Sequence, residues 1–266
     1  MRMETFRDRL RSRAPLAGTF VKTPDIALIE VLARTELDFL CLDAEHSPFD
    51  RGGLDACLAI GRALDCPMLV RVGDGSPREI LQALDKGALG VVVPHVTDVD
   101  KARAVARAAH FGHGGRGFAG STRWAGYATR PMAEVLAQDS QTVVLAQIEE
   151  PEGVEACAEI AAVDGIDGLF LGPSDLSVAY GHDSIDNPDL PRALARVGQA
   201  ARDAGKAFVS FTATEAQAQD WARDHGVHVF LVASEHSWLR AAANAVARGV
   251  HAAQVSGEQG SGGQGH

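Results

Sequence analysis

Eight short apolar runs, each followed by a stretch with helical spacing, constrain this chain more than any other feature. They fall at 16–21, 38–43, 67–72, 88–93, 143–148, 167–171, 207–211 and 228–232. Continuous apolar runs bounded by turn residues are the pattern of parallel strands buried on both faces. The intervening stretches carry helix punctuation. Ser76-Pro77-Arg78-Glu79 offers an N-cap, a proline at the first helical position and a capping-box acid, and the helix should stop at Gly87. Thr97-Asp98-Val99-Asp100 opens another helix, Gly205 closes one running from Pro191 to Ala204, and Gly226 closes one running from Thr214 to His225. Eight strand–helix units in about 250 residues fit a (β/α)8 TIM barrel. An open doubly wound sheet fits less well, because no G-x-G-x-x-G follows the first strand. Residues 1–255 are therefore expected to form one barrel domain. The Gly-rich tail 256–266 is expected to be disordered, since it has nothing to bury.

Composition narrows the partners. The net charge is −10, which argues against nucleic acid. No run is long enough to span a membrane, and the charged first ten residues lack the apolar core of a secretory signal. Cys41, Cys57, Cys66 and Cys157 form no C-x-x-C pair, so reduced thiols in a cytoplasmic protein are expected rather than a zinc site. The segment 110–130, rich in Gly and Arg and holding Trp124 and Tyr127, breaks the repeat. A long irregular connection in a compact barrel is usually functional.

In a barrel of this kind the active site lies at the C-terminal ends of the strands. Those ends carry Lys22; Asp43, Glu45 and His46; Arg71; Pro94 and His95; Gln147 and Glu149; Gly172 to Asp175; Thr212; and Ser234, Glu235 and His236. Glu149 and Asp175 each follow an apolar run where a helix begins. Two carboxylates released at the same end of parallel strands can hold one hard divalent cation; equally, each can be an acid favoured by a helix N-terminus. His46, with Asp43 and Glu45 nearby, is either a general base or a solvated loop histidine. Arg71 needs an anionic partner if buried, either an oxyanion ligand or a structural carboxylate. Gly172-Pro173-Ser174-Asp175 is a tight turn whose free amides can bind a carboxylate, or where Ser174 merely caps.

The runs Leu42-Asp43-Ala44-Glu45-His46-Ser47-Pro48, Leu69-Val70-Arg71-Val72, Val92-Val93-Pro94, Gly117 to Trp124, Gln147-Ile148-Glu149 and Leu171 to Ser177 resemble, in order and spacing, the class II pyruvate-dependent aldolases. These are the 4-hydroxy-2-oxoheptanedioate and 2-dehydro-3-deoxyglucarate aldolases, grouped with the citrate lyase beta-chain family. The resemblance covers roughly residues 4 to 250. It implies an aldehyde-lyase that uses a divalent metal (Mg2+, Mn2+ or Co2+) to cleave a 4-hydroxy-2-oxo acid reversibly into pyruvate and an aldehyde. On this resemblance, Glu149 and Asp175 are the metal ligands and Gln147 holds water at the metal. Arg71 contacts the pyruvate keto oxygen, and His46 is the base. Asp85 partners that histidine across subunits or loops, and Gly172, Pro173, Ser174 and the adjacent amides form the carboxylate turn. The resemblance also implies a homohexamer, a trimer of dimers with the last helix swapped between neighbours. Ala233-Ser234-Glu235-His236 departs from the Gly-Ser-Asp of many relatives, which leaves the aldehyde open.

Three rivals remain. A Schiff-base aldolase needs a strand-end lysine, and Lys22 is the candidate. An acyl-CoA lyase needs a basic cluster, for which Arg116, Arg123 and Arg130 are available. A barrel that binds an oxo acid without turnover is the third.

Overall fold

A parallel sheet covered on both faces needs strands that are apolar along their length, and the eight runs meet that condition. The computed structural model describes residues 2–258. In chain order it contains α1 (Arg2–Arg11), β1 (Leu16–Val21), α2 (Ile26–Leu32), β2 (Phe39–Asp43), α3 (Arg51–Ala63), β3 (Met68–Arg71), α4 (Pro77–Asp85), β4 (Gly90–Val93) and α5 (Val99–Ala109). There follow α6 (Met132–Gln138), β5 (Val143–Ile148), α7 (Pro151–Glu155), α8 (Cys157–Ala161), β6 (Gly168–Leu171), α9 (Pro173–Ala179), α10 (Asp189–Asp203), β7 (Ala207–Thr212), α11 (Glu215–His225), β8 (Val229–Ser234) and α12 (Glu235–Glu258). The strands form a closed barrel in sequence order, every neighbouring pair parallel. The expected TIM barrel is thus the observed fold.

Helix signals read from the sequence act as expected. The Ser76 hydroxyl accepts from the Glu79 amide, Asp98 accepts from Lys101, Thr214 accepts from Gln217, and Gly226 ends α11 in the left-handed region. The helix expected from Pro191 begins two residues earlier, at Asp189.

Side chains along a strand alternate between its faces, so a barrel has an inner and an outer core. Leu40, Leu42, Val70, Val144, Ala146 and Ile148 pack outward beneath the helices. Leu16, Phe20, Phe39, Cys41, Leu69, Val143, Leu145, Phe170 and Val209 fill the interior. Helix α1 closes the N-terminal end with Phe6 and Leu10, both fully buried. Arg7 and Arg11 of α1 anchor it to the buried carboxylate of Asp167 at 2.7 and 3.1 Å.

Segment 110–130 runs from the end of α5 toward α6 and packs beside the C-terminal end of α4. Trp124 N donates to Asp85 O, and Arg123 to Lys86 O. Since α4 descends from the mouth to the start of β4, this segment lies toward the end of the barrel opposite the mouth. Trp124 is buried there, and Arg116 stacks on Phe111 and Trp124, while Phe118 and Tyr127 of the same segment are exposed. The last helix starts buried at Glu235 and then exposes Leu239, Val246 and Val250. The tail expected at 256–266 falls outside the described residues from 259 onward, and its first three residues belong to α12.

Candidate active site

The inward-facing row of each strand ends in the residues of the site. On β1 the apolar series through Phe20 continues to Lys22. On β2 Phe39 and Cys41 lead to Asp43, and on β3 Leu69 leads to Arg71. On β5 Val143 and Leu145 lead to Gln147, and two residues later to Glu149. Alternation thus delivers these polar side chains to one mouth. There a cavity of about 200 Å3 is lined by Phe20, Lys22, His46, Arg71, Gln147, Phe170, Gly172, Pro173, Ser174, Asp175 and Phe211. Phe20 lies 6.2 Å from Phe170 and 6.1 Å from Phe211, ring to ring, which gives the cavity an aromatic side. A larger depression of about 700 Å3 lies on the outer surface between α5 and α8 and includes no strand-end residue.

Asp43 and Arg71 are register partners on adjacent strands, so their side chains meet. Arg71 Nε and Nη2 donate to the two Asp43 oxygens at 2.9 and 2.8 Å, a bidentate pair. Lys22 Nζ reaches Asp43 Oδ2 at 2.5 Å, and the His46 amide donates to Oδ1 at 3.1 Å. Burial opposes ionisation of Asp43, but the Arg71 hydrogen bonds and charge, with Lys22 and the His46 amide, outweigh it and hold the acid at about 2. The Arg71 guanidinium also lies 4.4 Å from the Phe20 ring centroid. Arg71 therefore has its structural carboxylate and still lines the cavity.

Glu149 is buried but caps no helix. Its Oε1 accepts from the His95 amide at 2.7 Å, and Oε2 accepts from Gln147 Nε2. Asp175 sits exposed in the first turn of α9, where neither it nor Ser174 makes a capping bond; Gly172 is the cap residue. A Cβ at Gly172 would stand 3.0 Å from Glu149 Cβ and 3.2 Å from Glu149 Oε2, so glycine leaves room for that carboxylate. Glu45 projects into the same region, with Oε2 3.2 Å from Arg71 Nε. That contact is not aligned as a hydrogen bond, and Glu45 Oε2 and Gln147 Oε1 remain buried without hydrogen-bond partners. Burial, then the charge of Glu149, pushes the Glu45 carboxyl up, against the pull of Arg71, His46 and His95. These oxygens are hard donors, and their arrangement fits a divalent cation held at Glu149.

The histidines split. His46 lines the cavity, half exposed, with Nε2 3.7 Å from Glu45, an ion-pair rather than a hydrogen-bond distance. His95, which the sequence reading placed at a strand end without a role, lies against Glu149 and Glu150 with Nδ1 3.2 Å from an oxygen of each. Within one chain Asp85 is not brought to His46. It closes α4 and pairs with Arg116 at 2.6 Å. Arg123 is likewise committed, to Asp55, and Arg130 to Gln138 and Glu134. The basic residues weighed for a nucleotide therefore do not line the cavity. Lys22, the candidate Schiff-base lysine, is ion-paired with a buried carboxylate, which is poor preparation for a nucleophilic amine.

A parallel barrel with acids, a buried arginine and an amide gathered at one small mouth offers a site the size of a small molecule. The chain belongs to the HpcH/HpaI aldolase/citrate lyase family, whose description matches residues 16–242. It is 34% identical over 249 residues to a hydroxypyruvate/pyruvate aldolase of Paraburkholderia phytofirmans, covering 89% of this chain and 95% of that protein. It is also 34% identical over 239 residues to a 4-hydroxy-2-oxovalerate aldolase of Rhodococcus jostii, covering 88% and 91%. A crystal structure of an HpcH/HpaI aldolase/citrate lyase family protein from Burkholderia cenocepacia superposes with a TM-score of 0.88 at 32% identity, covering 93% of this chain and 99% of that one. Membership and relatives together support an aldolase-type lyase.

Proposed function

We propose that this protein is a divalent-metal-dependent aldolase that reversibly cleaves a 4-hydroxy-2-oxo acid into pyruvate, or a close three-carbon 2-oxo acid, and an aldehyde. The observation that carries the reading is the convergence of Arg71, Gln147, His46 and the Gly172–Asp175 turn on one cavity of about 200 Å3. Glu149 and Asp175 would hold the cation, Mg2+, Mn2+ or Co2+, with Gln147 beside it. A bound cation supplies Lewis-acid stabilisation of negative charge on the keto oxygen.

The chain's own groups supply the rest. His46 takes the proton from the C4 hydroxyl; the C3–C4 bond breaks as the aldehyde carbonyl forms, and the electron pair passes to the pyruvate enolate. Protonation at C3 then gives pyruvate. A positioned base contributes about 10²–10⁴-fold. Arg71, fixed by Asp43, holds positive charge beside the keto oxygen, where a preorganised donor is worth about 2.7–4 kcal/mol in the transition state. The amides of Ser174 and Asp175 at the start of α9 suit the substrate carboxylate. Asp85 is read as reaching His46 of a neighbouring subunit. The exposed Leu239, Val246 and Val250 of α12 support the hexamer with a swapped last helix, which the mass from light scattering tests. Four buried free cysteines suit a cytoplasmic location.

Pyruvate release from a 4-hydroxy-2-oxo acid, with and without chelator and with borohydride present, tests the reading. Loss on chelation and recovery on adding a divalent cation are expected. Full activity after exhaustive chelation, with trapping at Lys22, would replace it by a Schiff-base mechanism.

A further inference from the structure

Among the described residues His95 is the one imidazole within ion-pair distance of Glu149, and an unusual backbone conformation directs it there. Its φ is +56°, in the left-handed region that non-glycine residues avoid. Histidine tolerates that region better than most, yet residues held there cluster at functional sites. The turn lets the His95 amide bond Glu149 Oε1 while the ring folds back over the same oxygen, with Nδ1 at 3.2 Å. The other ring nitrogen, Nε2, lies 3.7 Å from Glu45 Oε1. One donor atom from each of Glu45, His95 and Glu149 can be chosen so that all lie within 4.8 Å of one another. The Glu45 side chain is nine-tenths buried, and its Oε2 has no hydrogen-bond partner. A half-exposed imidazole can adjust over such a pair at little cost in packing.

We propose that His95 is a nitrogen ligand of the cation, acting with Glu149 and Glu45, and that it shifts the site's preference from Mg2+ toward Mn2+, Co2+ and Zn2+. Carboxylates and waters alone suit magnesium, whereas an imidazole adds affinity for later first-row metals. The inference rests on the metal-dependent reading above and adds two donors, His95 and Glu45, and a selectivity to the Glu149 and Asp175 proposed there.

The test measures binding, not turnover. Titration calorimetry with Mg2+, Co2+ and Zn2+ is run on the parent and on His95→Gly and His95→Asn, both of which accept a left-handed backbone. Pulsed EPR on the Mn2+ complex of the parent reads nitrogen coupling independently of any variant. Expected are imidazole coupling in the parent that disappears in both variants, a loss of Co2+ and Zn2+ affinity of about 10–100-fold or more, and a much smaller change for Mg2+. Nitrogen coupling that is absent in the parent or survives in the variants overturns the proposal, as does equal loss for all three cations. Normal cation binding in the parent that is unchanged in both variants sinks this inference alone. A parent that binds no cation sinks the metal-dependent reading with it.

Discussion

Asp43→Asn isolates the group on which the mouth is organised. The parent carboxylate is fully buried and receives Arg71 twice, Lys22 once and the His46 amide once. Asparagine keeps the shape but loses the charge and one acceptor. Asp43 titrates at about 2 instead of its ordinary 3.8. At 1.36 kcal/mol per tenfold in proton affinity, that difference is ~2.5 kcal/mol of folding stability at neutral pH. Breaking a buried pair outright costs about 3–5 kcal/mol, and the retained amide oxygen keeps this change near the lower figure. At roughly 2–4 °C per kcal/mol, the variant should melt roughly 5–12 °C below the parent at pH 7. Because the folded-state value is depressed, the contribution is complete above the unfolded value and is lost as pH falls toward about 2. Near pH 3 the gap between parent and variant should therefore have shrunk to roughly half. Thermal unfolding followed by circular dichroism at both pH values reads this directly. A gap under about 2 °C at pH 7, or one as large at pH 3 as at pH 7, would refute the account of Asp43 as the charge that fixes Arg71 and Lys22.

Three further outcomes are expected. Glu149→Ala and Asp175→Ala should each fold but lose cation affinity in calorimetry; a variant binding as tightly as the parent removes that residue from the ligand set. Arg71→Lys keeps charge but not the planar fork that grips Asp43, so kcat should fall by about 10²-fold or more, and a change within a few-fold marks Arg71 as structural. His46→Ala should lose aldol cleavage while still binding pyruvate. Oxaloacetate decarboxylation, which needs no proton taken from a C4 hydroxyl, should suffer less, and equal losses in the two reactions count against His46 as the base.

Strand number, order and approximate limits were legible because doubly buried parallel strands leave continuous apolar runs, and capping residues such as Ser76, Asp98 and Thr214 act locally. The membership of the mouth was legible for the same reason: a residue at the C-terminal end of a barrel strand has only one rim to occupy. What each side chain touches was not. Arg71 and Asp43 are 28 residues apart, and their pairing depends on the β2–β3 register, which no single run encodes. His95 acquires its direction from a left-handed backbone that no local residue preference required. The length of the 110–130 connection marked it out, but not its contacts: Trp124 is buried beside α4 with the Arg116 guanidinium stacked on it.

The charge balance of the mouth links the barrel to its chemistry. Asp43 is matched by Arg71 and Lys22, and little positive charge is left for Glu45, Glu149 and Asp175. Burial above all, and Glu149 to a lesser degree, pushes the Glu45 carboxyl up despite the opposing charges of Arg71 and His46. A protein relieves such an excess by protonating an acid or by binding a cation, and the second choice grows stronger as pH rises. The acids stand where alternation along β2 and β5 and the start of α9 place them, around an arginine already fixed by its own carboxylate. A divalent ion there would therefore meet preformed oxygens, and a 2-oxo acid would meet Arg71 without having to move it.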